Sequence, residues 1–237
     1  MGKVEIKKKS PFIDMTAMSD VTVLLLTFFM LTSTFLQKEP VTVITPASVS
    51  EEKVPEQNLI TVLVNPQGKV FFSVAGDKDS TFSSEKIRED ILKNVVAEYN
   101  KRHKSNPINL TNADLKTFGN TYMFGLPLKL LQQWLTLPLE QRDAWLDPNK
   151  DEGAQYAGIP VDMNTDLENP NEFQMWMKAL YNSENPNLQQ VIKEGKGIAI
   201  KADAITPYST VQVVMDNLQT LKMNKFTLLT ALKTEED

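Results

Sequence analysis

Asp20 is the residue in this sequence whose surroundings most clearly indicate chemistry, because a long apolar segment encloses it. Residues 15–36 read MTAMSDVTVLLLTFFMLTSTFL, and Asp20 carries the only ionisable side chain among these 22 residues. About 20 predominantly apolar residues suffice for a helix to cross a bilayer. A carboxyl group inside such a helix can take up and release a proton, so we predict proton transfer at Asp20.

The length of the apolar segment places Asp20 inside the membrane rather than at its surface. If Asp20 only capped the helix, the apolar part would span 21–36, which is 16 residues or about 24 Å, shorter than the hydrocarbon core of about 30 Å. Ser10 and Pro11 supply an earlier cap and first helical residue. Because an ionised carboxylate at that depth costs about 2.5–3.5 kcal/mol, we expect Asp20 to face protein or water.

Three threonines share the helix face of Asp20. At about 100° per residue, Thr16, Thr27 and Thr34 fall within about 40° of Asp20. Hydroxyl groups at this spacing relay hydrogen bonds or pack closely against a neighbouring helix, so we predict a proton path or a helix contact here. The alternative is that these threonines only bond back to carbonyl groups of their own helix.

The basic residues around the segment predict its orientation. Four lysines lie within residues 1–14, whereas Lys38 on the other side is offset by Glu39. By the positive-inside rule, residues 1–14 lie in the cytoplasm and the C-terminal bulk of the chain lies outside. A cleaved signal peptide is the competing interpretation, but it predicts a shorter apolar region and a small-x-small site, which the sequence TSTFLQKEP lacks.

The composition limits the remaining classes of function. The chain has 237 residues, 41% of them apolar, which is enough for one or two small domains. Its net charge of −5 and its scattered basic residues argue against a nucleic-acid partner. The chain has no cysteine, and its single histidine, His103, makes neither a zinc site nor the base of a nucleophile. Without a phosphate loop or a Gly-x-Ser-x-Gly elbow, we expect neither an enzyme nor a cofactor.

The residues around Asp20 resemble the ExbD/TolR family, whose signature is Thr-Pro-Phe-Ile-Asp-Val followed by a Leu-rich run that closes with Phe-Met. Here residues 16–21, TAMSDV, precede a run that ends in Phe29-Met30, with alanine where the family has proline. Residues 11–14, PFID, are a second match, but the apolar run follows Asp20 directly. The resemblance therefore implies that Asp20 has the family's proton-carrying role.

Two further segments extend this resemblance. Val41, Val43 and Pro46 belong to an alternating apolar stretch that resembles the linker motif of the family. Residues 195–234, which include Lys201-Ala202-Asp203, resemble its final strand–helix–strand unit.

The resemblance implies a membrane motor. In the family, two such helices lie inside a ring of a larger partner, and inward proton flow drives a motion. The implied partners are an ExbB-like multi-pass protein, a TonB-like protein and a second copy of the chain. The implied location is the bacterial inner membrane, with the C-terminal domain in the periplasm. We prefer the ExbD branch, which powers TonB-dependent outer-membrane transport. The alternatives are a TolR-like subunit of the Tol-Pal envelope system and a membrane-tethered binding module without proton conduction.

Alternation and capping signals predict the elements that position these residues. Residues 59–74 alternate apolar side chains around an Asn-Pro-Gln-Gly turn, which predicts a β-hairpin. A helix at 83–99, a strand at 197–203, a helix at 207–222 and a strand at 226–232 follow. The predicted fold class is α/β (α+β), with a single N-terminal transmembrane helix and a small mixed sheet that carries two helices.

We predict five parts in the chain. They are a cytoplasmic N-terminus at 1–14, a transmembrane helix at 15–36, a periplasmic linker at 37–57, an ExbD/TolR-like periplasmic domain at 58–100 and 195–234, and a helical insertion subdomain at 101–194.

The predicted insertion contains all three tryptophans, Trp134, Trp145 and Trp176. Thr111 and the prolines at 127, 138, 170 and 186 mark the starts of its helices. We expect its aromatic residues to form a core, because so small a unit needs large side chains to bury enough area. The alternative is a surface that docks a partner.

Two acidic loops of the insertion, 147–151 and 162–166, begin like calcium-binding loops. Neither has the glycine or the final glutamate of that motif. We therefore interpret both loops as solvated turns and predict no metal site.

Overall fold

The chain divides into two units, Met1–Gln37 and Lys38–Asp237, and we call the second the C-terminal unit. The computed structural model describes residues 15–32, 39, 41–48, 55–77, 82–229 and 231–232. It confirms the predicted fold class, a mixed α/β arrangement with one N-terminal apolar helix.

Helix α1, Met15–Thr32, is the one helix within the described ranges that is long and apolar enough to cross a membrane. Its 18 residues have a mean hydropathy of 1.6, and none of them is buried. A helix of this length extends about 27 Å, close to the thickness of a hydrocarbon core. The predicted helix start at Ser10 and Pro11 and the predicted end at 33–36 lie outside the described residues.

A five-stranded mixed sheet lies at the centre of the C-terminal unit. The strands, in chain order, are β1 (Ala47–Ser48), β2 (Leu59–Val64), β3 (Val70–Ala75), β4 (Met123–Phe124), β5 (Ile198–Ala202), β6 (Thr227–Leu229) and β7 (Ala231–Leu232). The order in the sheet is β4-β3-β2-β5-β6. Strands β4, β3 and β2 pair antiparallel, whereas β2, β5 and β6 pair parallel. Strands β1 and β7 form a separate parallel pair.

The β2–β3 hairpin is confirmed, and its turn explains why it forms. The Gly68 N–H donates to the Asn65 carbonyl at 2.9 Å, and the Asn65 side chain accepts a bond from the Lys69 N–H at 2.7 Å. Gly68 has a φ of 75°, a conformation that glycine adopts without steric cost. This turn sets a register in which Val64 pairs with Val70.

The predicted helix starts in the C-terminal unit are confirmed to within two residues. The helices are α2 (Ser84–Arg102), α3 (Asn112–Gly119), α4 (Leu128–Thr136), α5 (Leu139–Leu146), α6 (Asp151–Tyr156), α7 (Glu172–Tyr181), α8 (Pro186–Glu194) and α9 (Tyr208–Thr220). Thr111 and Asp114 form a capping box at the start of α3, and Asn171 and Gln174 form another at the start of α7. These caps satisfy N–H groups that a helix start leaves unpaired.

The helices of residues 101–194 share one core with the sheet. Trp176 and Trp134 are buried, which confirms their interpretation as core residues. The centroid of the Trp176 ring lies 4.9 Å from that of Phe72 on β3 and 5.7 Å from that of Phe118 on α3. Trp134 lies 5.5 Å from Phe124 on β4. These contacts join the helices directly to the sheet.

A buried arginine adds a polar connection between the same layers. The guanidinium of Arg88 on α2 donates to the carbonyl of Val74 at 3.1 Å and to that of Gly119 at 3.0 Å. It thereby links α2 to β3 and to the end of α3.

The third tryptophan and the acidic loops lie closer to the surface. Trp145 is half-buried against Tyr156, with 4.6 Å between the ring centroids.

In the first acidic loop the Asp147 carboxylate accepts a bond from the Asn149 N–H, and in the second Asp166 accepts one from the Glu168 N–H. Within the described ranges no cluster of metal-ligating side chains occurs. Both carboxylates therefore stabilise turns.

Different elements cover the two faces of the sheet. Because side chains alternate along a strand, Val62 faces the helical core whereas its neighbour Leu63 faces the opposite side. There Leu63 and Phe71 form a small cluster with Val41 and Val43. The chain segment that precedes the sheet thus covers its second face.

Candidate proton site and the segment docked on the sheet

Asp20 is exposed on α1, five residues after Met15. The geometry of the helix places Thr16 one turn before Asp20 and Thr27 two turns after it, on the same face. Thr34 lies outside the described residues. Proton transfer at Asp20 stays a prediction.

The hydroxyl of Thr27 bonds back into the helix, as the alternative interpretation of the threonine stripe states. It donates to the Leu24 carbonyl at 2.9 Å, and Thr22 likewise donates to the Met18 carbonyl at 2.7 Å. Such a bond engages the hydroxyl hydrogen but leaves lone pairs of the oxygen free to accept. Because seven residues correspond to about 10.5 Å along the axis, a proton path from Asp20 to Thr27 needs groups or water between them.

A second candidate element precedes the sheet, and we call it the docked segment (Glu39 and residues 41–48). Val41 and Val43 are only 5% and 8% exposed, packed in the cluster that contains Leu63. Pro46 is exposed just before β1. The structure therefore brings two of the three predicted linker-motif residues onto the sheet and leaves the third at the surface.

Polar contacts hold the docked segment at Glu39 and at Ile44. The Lys201 ammonium lies 2.7 Å and 3.0 Å from the two carboxylate oxygens of Glu39. The Asp203 carboxylate accepts the Ile44 N–H at 2.9 Å, and the Ala204 N–H donates to the Ile44 carbonyl at 2.8 Å. Each of these partners lies at or just after the end of β5.

Sequence reasoning missed this role of Lys201 and Asp203. Both residues belong to a stretch that was singled out by resemblance. Nothing in a local pattern connects Lys201 to Glu39, 162 positions earlier, or Asp203 to Ile44, 159 positions earlier. The signal that was available is the alternation of Val41 and Val43, which indicates a segment with one buried face.

Part of the chain matches a known protein family. A family profile described as Biopolymer transport protein ExbD/TolR matches residues 7–120. This range includes α1, the docked segment, the β2–β3 hairpin, α2 and α3, and it ends before α4. No curated protein and no solved structure matches the chain significantly.

Proposed function

The chain belongs to the ExbD/TolR family, and we propose that it is the proton-carrying subunit of an inner-membrane motor. Family membership supports a general role in energy transduction for biopolymer transport, and members of this family are non-enzymatic. The N-terminal apolar helix fits a single-pass inner-membrane protein. The observation that carries the proposal is Asp20, the only ionisable residue of α1.

Protonation of Asp20 changes which environment is favourable for its side chain, and with it the favourable position of α1. The ionised carboxylate disfavours an apolar environment by about 2.5–3.5 kcal/mol, which corresponds to roughly two orders of magnitude in an equilibrium constant. Gain of a proton therefore permits contact with apolar groups, and its loss drives the side chain back towards polar groups or water. This alternation converts proton flow into movement of the helix.

The docked segment lies at the start of the C-terminal unit, so it is the first part of this unit that follows α1 along the chain. We propose that the N-terminus lies in the cytoplasm and the C-terminal unit in the periplasm. Since Val41, Val43 and the Glu39–Lys201 ion pair attach it to the sheet, a pull on the segment acts directly on β2 and β5.

The proposed partners follow from the family. An ExbB-like multi-pass protein surrounds the helices of two copies of this chain, and a TonB-like protein receives the motion. The function that we favour is the ExbD one, in which the motor powers TonB-dependent outer-membrane transport. A TolR-like subunit of the Tol-Pal system is the alternative within the same family.

Replacement of Asp20 tests this proposal. Asp20→Asn keeps the size of the side chain but cannot exchange a proton, so we expect nutrient uptake to fall at least ~10-fold while the protein still accumulates and assembles. Asp14→Asn is the matched control, because it removes a carboxylate from the second signature match. The assay uses cells without paralogues, and normal uptake with Asp20→Asn would contradict the proposal.

The helices after residue 120, which the family match does not cover, favour a membrane-tethered binding module as a second candidate. In that case α1 serves only as an anchor. Exchange of residues 15–36 for an unrelated transmembrane segment would then retain function, whereas the motor would lose it.

A further inference from the structure

Residues from α2, α4, α7 and the loop at 160–162 line a cleft of about 440 Å³. Small-molecule sites typically have volumes of about 300–1,000 Å³ and combine an apolar lining with a few polar groups. This cleft has both features, and its chemistry indicates the class of ligand that it accepts.

Glu172, at the start of α7, is a fixed and partly buried carboxylate in this cleft. Its Oε2 accepts the Leu128 N–H at 2.7 Å, which also satisfies the first turn of α4. Burial raises the pKa of Glu172, although the bond from the Leu128 N–H and the nearby Lys129 and His103 act in the opposite direction. Among the described residues, Leu128 is the hydrogen-bond donor to this carboxylate, so Oε1 is left to accept from a ligand.

The exposed ring of His103 lies in this cleft and stacks on the buried ring of Tyr99. The rings of Tyr99 and His103 lie 4.1 Å apart with only 12° between their planes, and His103 Nδ1 lies 3.1 Å from the Tyr99 carbonyl. These contacts hold His103 in place although it is exposed. Pro170 and Met175 are buried and extend the apolar lining.

The cleft presents both signs of charge to a ligand. Asp162 adds a second carboxylate to the lining, and its Oδ1 accepts a bond from the Asn171 amide at 2.6 Å. Lys129, at the start of α4, supplies an exposed ammonium group. A ligand that carries one charge of each sign complements this arrangement better than a ligand that carries two charges of the same sign.

We propose that this cleft binds a small zwitterion, a molecule with a protonated amine and an acid group on a short carbon skeleton. The amine bonds to Glu172, the acid group pairs with Lys129, and the skeleton lies against the ring of His103, which Tyr99 supports from beneath. The site does not depend on proton transfer at Asp20, and Lys129, Asp162 and Glu172 all lie beyond the range of the family match.

Titration calorimetry on the full-length chain in detergent tests this inference with probes of similar length. We expect γ-aminobutyrate or at least one of the twenty common α-amino acids to bind with a Kd below about 1 mM. Putrescine, which carries two amines, and glutarate, which carries two acid groups, should bind at least ~10-fold more weakly. The inference is overturned if neither γ-aminobutyrate nor any of the twenty amino acids binds with a Kd below about 1 mM, or if putrescine or glutarate binds as tightly.

Variants of the cleft distinguish specific binding from general adsorption. Glu172→Gln keeps an oxygen that accepts the Leu128 N–H but loses the charge, and we expect it to weaken zwitterion binding at least ~10-fold. Lys129→Met should have a comparable effect. Glu140→Gln, on the exposed surface of α5 away from the cleft, is the matched control and should bind like the wild type. Unchanged affinity in Glu172→Gln contradicts the proposed contact.

Discussion

At the scale of single residues, Asp20 could be recognised from the sequence because its signal is local. One carboxylate in an apolar run of helical length is visible without any knowledge of tertiary contacts. Glu172 had no such signal, since its partial burial depends on elements that approach it only in the folded chain. Its bond to Leu128 joins positions 44 residues apart.

Thr27 provides a test of the helix face that Asp20 occupies. Thr27→Val preserves the shape of the side chain but removes the hydroxyl, so a path through this residue predicts a decrease in proton-driven transport of about 3- to 10-fold. Thr22→Val is the matched control, because the Thr22 hydroxyl also donates to a carbonyl of its own helix but lies on the opposite face. Equal transport by the two variants would show that the stripe does not conduct.

The raised pKa of Glu172 predicts how the free energy of unfolding depends on pH. Because burial raises its pKa above 4.5 in the folded chain, the folded state binds this proton more tightly than the unfolded state. As the pH rises from about 4.5 through the raised pKa, this group lowers the free energy of unfolding. Glu172→Gln has no such proton, so its free energy of unfolding should increase relative to wild type over that interval.

The measurement is urea unfolding of both proteins in detergent from about pH 4 to about pH 7. Other carboxylates contribute equally to the two curves, so their difference isolates Glu172. The prediction is contradicted if the free energy of unfolding of Glu172→Gln, relative to that of the wild type, stays constant or falls as the pH rises.

At the scale of elements, the sequence predicts which segments are regular but not which of them meet. Periodicity gave the hairpin, the helices and the alternation of Val41 and Val43, because these depend on local geometry. The contacts of the docked segment with Lys201 and Asp203 connect distant positions through the sheet. Residues 226–232 were predicted as one strand, but β6 belongs to the five-stranded sheet whereas β7 pairs with β1.

Val43→Asp should release the docked segment from the sheet. An unpaired carboxylate in the cluster around Leu63 is unfavourable, whereas Thr42→Asp places the same charge at an exposed neighbouring position. We expect the amides of Ile44 and Ala204, which depend on this contact, to exchange hydrogen at least ~10-fold faster in Val43→Asp. Hydrogen-exchange mass spectrometry measures this, and similar exchange in both variants would show that burial of Val43 does not hold the segment.

At the scale of the whole molecule, the aromatic residues join the predicted insertion at 101–194 to the domain at 58–100 and 195–234, from which it was expected to be separate. Residues 101–194 were set apart because no resemblance covered them, yet Trp176 contacts β3 and α3 from within that range. Burial in a common core is a property of the assembled chain, and hydrophobic periodicity does not reveal it. The zwitterion cleft likewise draws its lining from both sides of residue 120.

Trp176→Ala tests whether this core makes the C-terminal unit one cooperative structure. Removal of a fully buried tryptophan costs about 3–5 kcal/mol, and the shared core predicts that the sheet and the helices lose stability together, in a single transition. Trp145→Ala, at a half-buried position, is the matched control and should cost about 1–2 kcal/mol. Urea unfolding followed by far-ultraviolet circular dichroism and by hydrogen exchange on β2 and α7 measures both quantities. If α7 unfolds at a lower urea concentration than β2, the helices form an independent unit that merely rests against the sheet.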